Sequence, residues 1–364
     1  MDDTKQSQSQ YSISRRRVIT AGAGLLATGL AGCTSNGGNN DTAPTSGSGN
    51  EGASGDGPAV TVASFFSFYD FARKVVDGTP IQVNNLVPTG LHGHGWEPNA
   101  SVTKDIIEAD AFLHVGPGFQ PWADRAIQTL KDDNVDTQLI DVRKGVELVD
   151  LAATLDPEEE GVGKQQGKDP HFWLDPDRAK ISVDNIADGF AKLVPDQESA
   201  LRDNAETYKA DVLERIDQDY QAIFDAADRN VVQLAAHNAF QYIGVKYDAK
   251  MVPLVTNLAA SGDVKPSDIA DAKEVIRKNN IKYIANGVFE SRKPAKQLLN
   301  ETQVEGYLPV TPYAGVRKDW VQNNWGYEEI AYNINMPTFE VVLGNKQPEA
   351  AGPGSWANEW MNFQ

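Results

Sequence analysis

The chain has a single cysteine among 364 residues, so no disulfide can form within it. Positive charge is also scarce. Lys and Arg number 33 against 51 Asp and Glu, a formal charge of -18, and this excludes a nucleic-acid surface, because phosphate backbones call for a basic one. A cationic ligand is the better electrostatic match, although a solvated acidic surface of the kind salt-adapted proteins carry accounts for most of the excess. Long apolar runs are lacking as well. The best candidate, residues 18–32, is too short for a membrane span. What remains is a chain with 40% hydrophobic residues, enough for a well-buried core and, at this length, for two lobes.

The apolar run belongs to a targeting segment, residues 1–33. Arg15, Arg16 and Arg17 precede it, and the Ser14, Arg15, Arg16 pattern resembles a twin-arginine export signal. Leu30, Ala31, Gly32 and Cys33 resemble a lipoprotein lipobox, which places the one cysteine where lipidation needs it. Cleavage before Cys33 would remove two acids and four bases, leaving 49 against 29 and a mature charge of -20. Residues 34–57, rich in Gly, Ser and Asn without apolar periodicity, read as a flexible tether.

From Pro58 onward, short β-rich runs alternate with amphipathic helical patterns, the signature of an α/β chain with parallel sheets. The alternation occurs twice. Strands are predicted at 59–66, 81–88, 111–116 and 137–142 in one lobe (58–198), and at 231–236, 250–255, 281–286 and 306–311 in the other (229–364). Between them, residues 199–228 have no helix breaker and carry one apolar stripe: Leu201, Ala205, Tyr208, Val212, Ile216, Tyr220, Ile223 and Ala227. A helix of that length spans roughly 45 Å, enough to join both lobes rigidly. The expected fold is thus α/β, two lobes each with a roughly four-stranded parallel sheet flanked by helices, joined by one long helix.

Ligands of such sheets collect at the carboxyl ends of the strands, and the histidines fall there. His92 and His94 follow the second strand in GLHGHGWEP, His171 sits in DPHFWLDP before a helix opening near Asp177, and His237 directly follows the strand VVQLAA. Neutral imidazoles brought together from two lobes suit a borderline transition metal such as zinc. A ligating imidazole also wants an acceptor on its second nitrogen, and Glu97, Asp169 and Asp175 are close enough in sequence to provide one. His114, inside the apolar run AFLHVG, reads as a core residue, and Trp96, Trp122 and Trp173 as packing residues.

The segments LVPTGLHGHGWEP, ADAFLHVGPGFQPW, DPHFWLDP and VVQLAAHNAF resemble, in order and spacing, the motifs of zinc and manganese solute-binding lipoproteins of ABC transporters, over about residues 60–310. The resemblance implies two α/β lobes joined by a long helix, with a metal in the cleft held by His94 and His171 from the first lobe and His237 from the second. It implies Zn2+ as cargo, with Mn2+ as the alternative; an ABC permease as partner; and a monomeric receptor outside the membrane, anchored by lipidated Cys33. With the acidity, it points to a salt-adapted archaeal source. The chain departs from the family in places. Where an acid is common it has Gly287, with Glu290 three residues later, and where a later aspartate is common it has Thr311. The fourth ligand is therefore expected to be water or a carboxylate such as Glu290 ahead of His92. The acidic run Glu158, Glu159, Glu160 takes the place of a histidine-rich loop and reads as a solvated loop. The tail carrying Trp320, Trp325, Trp356 and Trp360 has no counterpart in the resemblance.

An exported zinc hydrolase is the rival reading, since three histidines with an open position would be its starting point. Such an enzyme needs a general base, and helix-borne motifs such as HExxH are absent from the sequence. A surface adhesin lipoprotein is a third reading, but leaves the placement of the histidines unexplained. The expectation is a receptor and not an enzyme.

Overall fold

The computed structural model describes residues 57–91, 96–151, 167–255, 264–352, 360 and 363, and the expectations for Cys33, His92, His94, the acidic run 158–160 and Trp356 lie outside them. Among the described residues, eight strands form two sheets of four, all parallel. The first contains β1 (Ala59–Ala63), β2 (Ile81–Asn85), β3 (Ala111–His114) and β4 (Gln138–Asp141) in the order β2-β1-β3-β4. The second contains β5 (Val231–His237), β6 (Lys250–Val255), β7 (Tyr283–Gly287) and β8 (Gly306–Val310) in the matching order β6-β5-β7-β8. In each sheet the winding reverses after its second strand, so the crevice at the switch point opens beyond the carboxyl ends of β1 and β3 in one, and of β5 and β7 in the other.

The helices between strands form where the apolar period predicts. Helix α1 (Phe66–Val75), α2 (Ala100–Glu108) and α3 (Pro121–Asp132) serve the first sheet, with Asn99 accepting from Ser101 N to cap α2 and Pro121 opening α3. Helix α4 (Pro176–Leu193) packs against α1, β4 and the column that follows. That column consists of α5 (Glu198–Tyr208), a π-type turn at Lys209–Leu213 and α6 (Glu214–Asp225). Its 11, 5 and 12 residues keep right-handed helical dihedrals through the joints and span about 42 Å. Of the predicted stripe, Leu201, Ala205, Tyr208, Ile216 and Tyr220 are buried, while Ile223 and Ala227 are only half-buried and Phe224 takes the core position beside them. The π-type turn was not foreseen: it leaves Val212 only half-buried and seats Leu213 in the core instead.

Helices α7 (Gln241–Lys246), α8 (Pro266–Lys278) and α9 (Lys293–Glu301) serve the second sheet. Beyond β8 come α10 (Lys318–Gln322), α11 (Tyr327–Ile330), α12 (Met336–Val342) and α13 (Pro348–Ala351). Helix α12 packs on β7, β8 and α6. One buried cluster runs from Phe65, Phe68 and Trp173 through Tyr208 and Tyr220 to Tyr313, Tyr327 and Phe339, so residues from both sheets and the column share a continuous core. Among the described residues, no helix is long and apolar enough to cross a membrane.

Candidate metal centre

The segment Asp169 to Asp177 builds one half of the site through two copies of the same local device. In each, an aspartate precedes a proline, and its carboxylate accepts the backbone N–H two residues on: Asp169 Oδ1 from His171 N at 2.8 Å, and Asp175 Oδ1 from Asp177 N at 2.9 Å. The second copy caps α4, with Pro176 at its first position. The first fixes His171 at the head of a single tight turn, Phe172–Leu174. The same Asp169 Oδ1 lies 2.9 Å from His171 Nδ1. An ionised carboxylate only accepts, so this contact puts the imidazole proton on Nδ1 and gives Nε2 the lone pair.

The other half stands at the switch point of the second sheet. His237 ends β5, where the register with β6 shifts between Leu234 and His237. Glu290 turns back beyond β7 and uses both oxygens on this one residue: Oε2 accepts His237 N and Oε1 meets His237 Nδ1, each at 2.8 Å. Gly287 makes this possible. A Cβ there would lie inside the Glu290 carboxylate. The side chain at the place where the resemblance has an acid is thus removed, and Glu290 fills the space.

The two imidazole rings face each other with centroids 5.6 Å apart at an interplanar angle of 51°. Both residues are buried, and the Nε2 atom of each ring is inaccessible to solvent. An imidazole bound through Nε2 at about 2.0–2.1 Å sets its ring centre roughly 3.2 Å from the metal, so two ligands at a tetrahedral angle have centres about 5.2 Å apart. The observed pair falls near that spacing, and a neutral, carboxylate-backed imidazole is the donor such a metal takes. Burial lowers the pKa of His171 below its ordinary value, against the partial opposition of Asp169, which keeps the ring neutral and able to coordinate.

The remaining predicted residues are distributed as follows. His94 and His92 lie outside the described residues, among which no group of three or more His, Cys, Asp or Glu converges. Among the described residues, Asp169 sits against a histidine and Glu97 and Asp175 do not. Glu97 is exposed and paired with Arg125 at 2.6 Å, and Asp175 is held by Arg178 and by Lys246 at 3.5 Å in addition to its capping role. In each case an arginine is a partner that the described residues supply. Glu290, expected as a possible ligand, stands behind His237 with both oxygens on that residue. Thr311 is buried with its backbone gripped by Asn335, which accepts Thr311 N at 2.9 Å and donates to Thr311 O at 2.8 Å. His114 sits in the core beside Phe112, as the sequence suggests.

Two further residues bear on the site, one of them Trp173, which is buried in the core as its reading as a packing residue expects. Trp173 packs 5.4 Å from the His171 ring, donates from Nε1 to Pro312 O at 2.7 Å and receives at its carbonyl the hydroxyl of Tyr327 at 2.8 Å, so it ties the His171 turn to the region beyond β8. Tyr242 donates its hydroxyl to Asp169 O at 2.8 Å. Neither role has a signal in spacing; each requires knowing which element of one half faces the other.

A family model for ZnuA, the periplasmic component A of a zinc-uptake complex, matches residues 61–328. The chain belongs to the ZnuA family. It is 28% identical over 273 residues to the zinc-binding protein AdcA of Streptococcus pyogenes serotype M18, covering 72% of this chain and 52% of that protein. It is 25% identical over 276 residues to the high-affinity zinc uptake system protein ZnuA of Bacillus subtilis, covering 74% and 83%. The chain thus spans about half the length of its streptococcal relatives. In three dimensions it resembles the metal-dependent lipoprotein YcdH of Bacillus subtilis, with a TM-score of 0.66 at 24% identity over 78% of this chain and 99% of that one. It also resembles the Zn(II)-bound ZnuA-like domain of Streptococcus pneumoniae AdcA, with a TM-score of 0.65 at 23% identity over 79% and 99%. The two-sheet α/β architecture of this ZnuA-family chain is therefore shared with solved structures.

Proposed function

We propose that this ZnuA-family chain is an extracytoplasmic receptor that binds zinc in the crevice between its two sheets and delivers it to an ABC permease. The observation that carries the reading is the pair His171 and His237, contributed by the two halves, with ring centres 5.6 Å apart and each with its Nδ1 against a carboxylate. Such backing fixes tautomer and orientation and raises the basicity of the donor nitrogen. His94 supplies the third imidazole in this account. With both oxygens of Glu290 engaged by His237, the fourth position falls to water or to His92. An all-nitrogen protein set favours zinc over manganese, which prefers carboxylate oxygens. The names of its relatives, zinc-binding and zinc-uptake proteins, support the same cargo.

The same account has residues 1–33 direct export through a twin-arginine-like signal, Cys33 carry the lipid, residues 34–57 tether the receptor and the column near 199–228 join two lobes of a monomer. A hydrolase is disfavoured by Glu290, whose two oxygens are both committed to His237, so it does not stand ready as a base for a metal-bound water. The metal content of chain purified without chelator, measured alongside assays for ester, phosphate and peptide turnover, tests the proposal. One zinc per chain with no turnover is expected. Absence of bound metal after zinc loading, or zinc-dependent turnover, overturns it.

A further inference from the structure

We infer that Tyr242, on the second half of the molecule, is the positioning residue that sets the first-half ligand His171 in register with His237; the inference rests on the metal-centre reading above. Residues 149–151 and 167–169 form a short antiparallel ribbon at the base of the His171 turn, with Asp150 opposite Lys168. Leu151 N donates to Gly167 O at 2.8 Å and Asp169 N to Val149 O at 3.0 Å. An antiparallel pair flanking such a bridge exchanges two bonds, so Val149 N should return to Asp169 O. It does not. The Tyr242 hydroxyl stands between them, accepting from Val149 N at 3.1 Å and donating to Asp169 O at 2.8 Å. The ribbon is propped open at the residue whose carboxylate orients His171.

Tyr242 is fixed from several sides. It is buried, Arg178 lies over its ring at 5.1 Å, and Arg178 in turn holds Asp175 and donates to Glu147 O at 3.0 Å. Burial raises its pKa, so the hydroxyl stays protonated and remains a donor to Asp169 O throughout the physiological range. Its place in the chain supplies the function. Tyr242 lies on α7, five residues after His237 at the end of β5. One short segment, AHNAFQYIGV, therefore carries a metal ligand of the second half and the hydroxyl that locates its counterpart in the first. Removing the oxygen lets Val149 N and Asp169 O close on each other as an ordinary ladder pair. Asp169 then shifts, and with it the Oδ1 that holds both His171 N and Nδ1.

The test is Tyr242→Phe in the full chain, with Tyr247→Phe as control. Tyr247 also spans elements through its hydroxyl, donating to Asp217 Oδ1 at 2.7 Å, and its ring packs on Tyr220 and Phe224, so its hydrogen bond does not involve Asp169 or Val149. Zinc transfer to excess EDTA is expected to be about tenfold faster in Tyr242→Phe, the scale of losses from second-layer changes at metal sites. The visible spectrum of the cobalt-substituted chain is expected to change while metal stoichiometry and the urea midpoint stay close to those of the control. Release at the parental rate with an unaltered cobalt spectrum overturns the inference, as does an equal effect of Tyr247→Phe. A chain that takes up no zinc would remove the receptor reading instead. The positional link can then be judged on metal-free protein by the His171 Nδ1–H resonance, which should shift or exchange faster in Tyr242→Phe and not in Tyr247→Phe; an unperturbed resonance overturns the link itself.

Discussion

Glu290 and His237 are 53 residues apart in sequence, yet the glutamate gives one oxygen to the backbone N–H and the other to the ring Nδ1 of the same histidine, both at 2.8 Å. Asp169 does the same for His171 with a single oxygen from two residues away. The two halves thus present imidazoles prepared in the same manner by different means. Local turn chemistry serves one, and a strand crossing with a glycine serves the other.

Replacing Glu290 by Gln keeps the shape but weakens the acceptor that holds Nδ1–H, and Gly287→Ala drives a methyl group into the carboxylate. Each is expected to weaken zinc binding by about 10- to 100-fold, with the fold retained. Competition against a chelator of known affinity measures the change. Unchanged affinity in both variants would mean that the carboxylate does not orient a ligand.

Part of this was legible in the sequence because it is local. DPHFWLDP announces its turns through two Asp-Pro pairs, the strand-helix alternation gives two parallel sheets, and the apolar stripe gives the helical column. Histidines at strand ends follow from the topology of such sheets. The acceptors behind them did not follow in the same way. Asp169 was reachable at two residues' distance, whereas Glu97 and Asp175, equally near in sequence, are claimed by Arg125 and Arg178. Glu290 was considered only as a ligand, because nothing in the sequence alone says that the space above Gly287 is where its carboxylate returns. Tyr242 and Trp173 act across the two halves, and their roles exist only once those halves are packed.

The metal-free protein should lose stability as pH falls below about 6.5, the ordinary histidine value. Burial lowers the pKa of His171, against Asp169 and Glu290 and with His237, and also that of His114, where Asp141 and Asp124 oppose burial and Arg143 and Lys131 reinforce it. Between the lowered values and 6.5 the unfolded chain binds more protons than the native one, so stability rises with pH in that window and levels off above it. Urea midpoints of chelator-treated protein at pH 7.5 and 5.5 provide the check. Equal midpoints would contradict the burial of neutral rings.

The aromatic tail, unexplained by sequence resemblance, is structural where it is described. Trp360 is fully buried and donates from Nε1 to Thr338 Oγ1 at 3.0 Å, while Thr338 donates to Pro309 O at 2.6 Å on β8. Trp360→Ala is expected to cost about 3–5 kcal/mol of unfolding free energy. Urea denaturation measures it, and a loss within about 0.5 kcal/mol, the range of ordinary surface substitutions, would contradict a core role.

On the proposed reading of Cys33 as the lipid attachment point, in a stretch that resembles a lipobox, Cys33→Ser should release the protein from membranes. Fractionation with a high-salt wash decides the matter. A variant that stays with the membrane would show that lipidation of Cys33 is not what holds the chain there.

The central claim is that a metal is held between the two halves by the Nε2 atoms of His171 and His237. Crystals grown with one equivalent of zinc and measured at the zinc absorption edge test it most directly. The account predicts a single anomalous peak about 2.0–2.1 Å from both Nε2 atoms, with Glu290 and Asp169 still on Nδ1. A peak bonded to Glu290, or one remote from either imidazole, would contradict it.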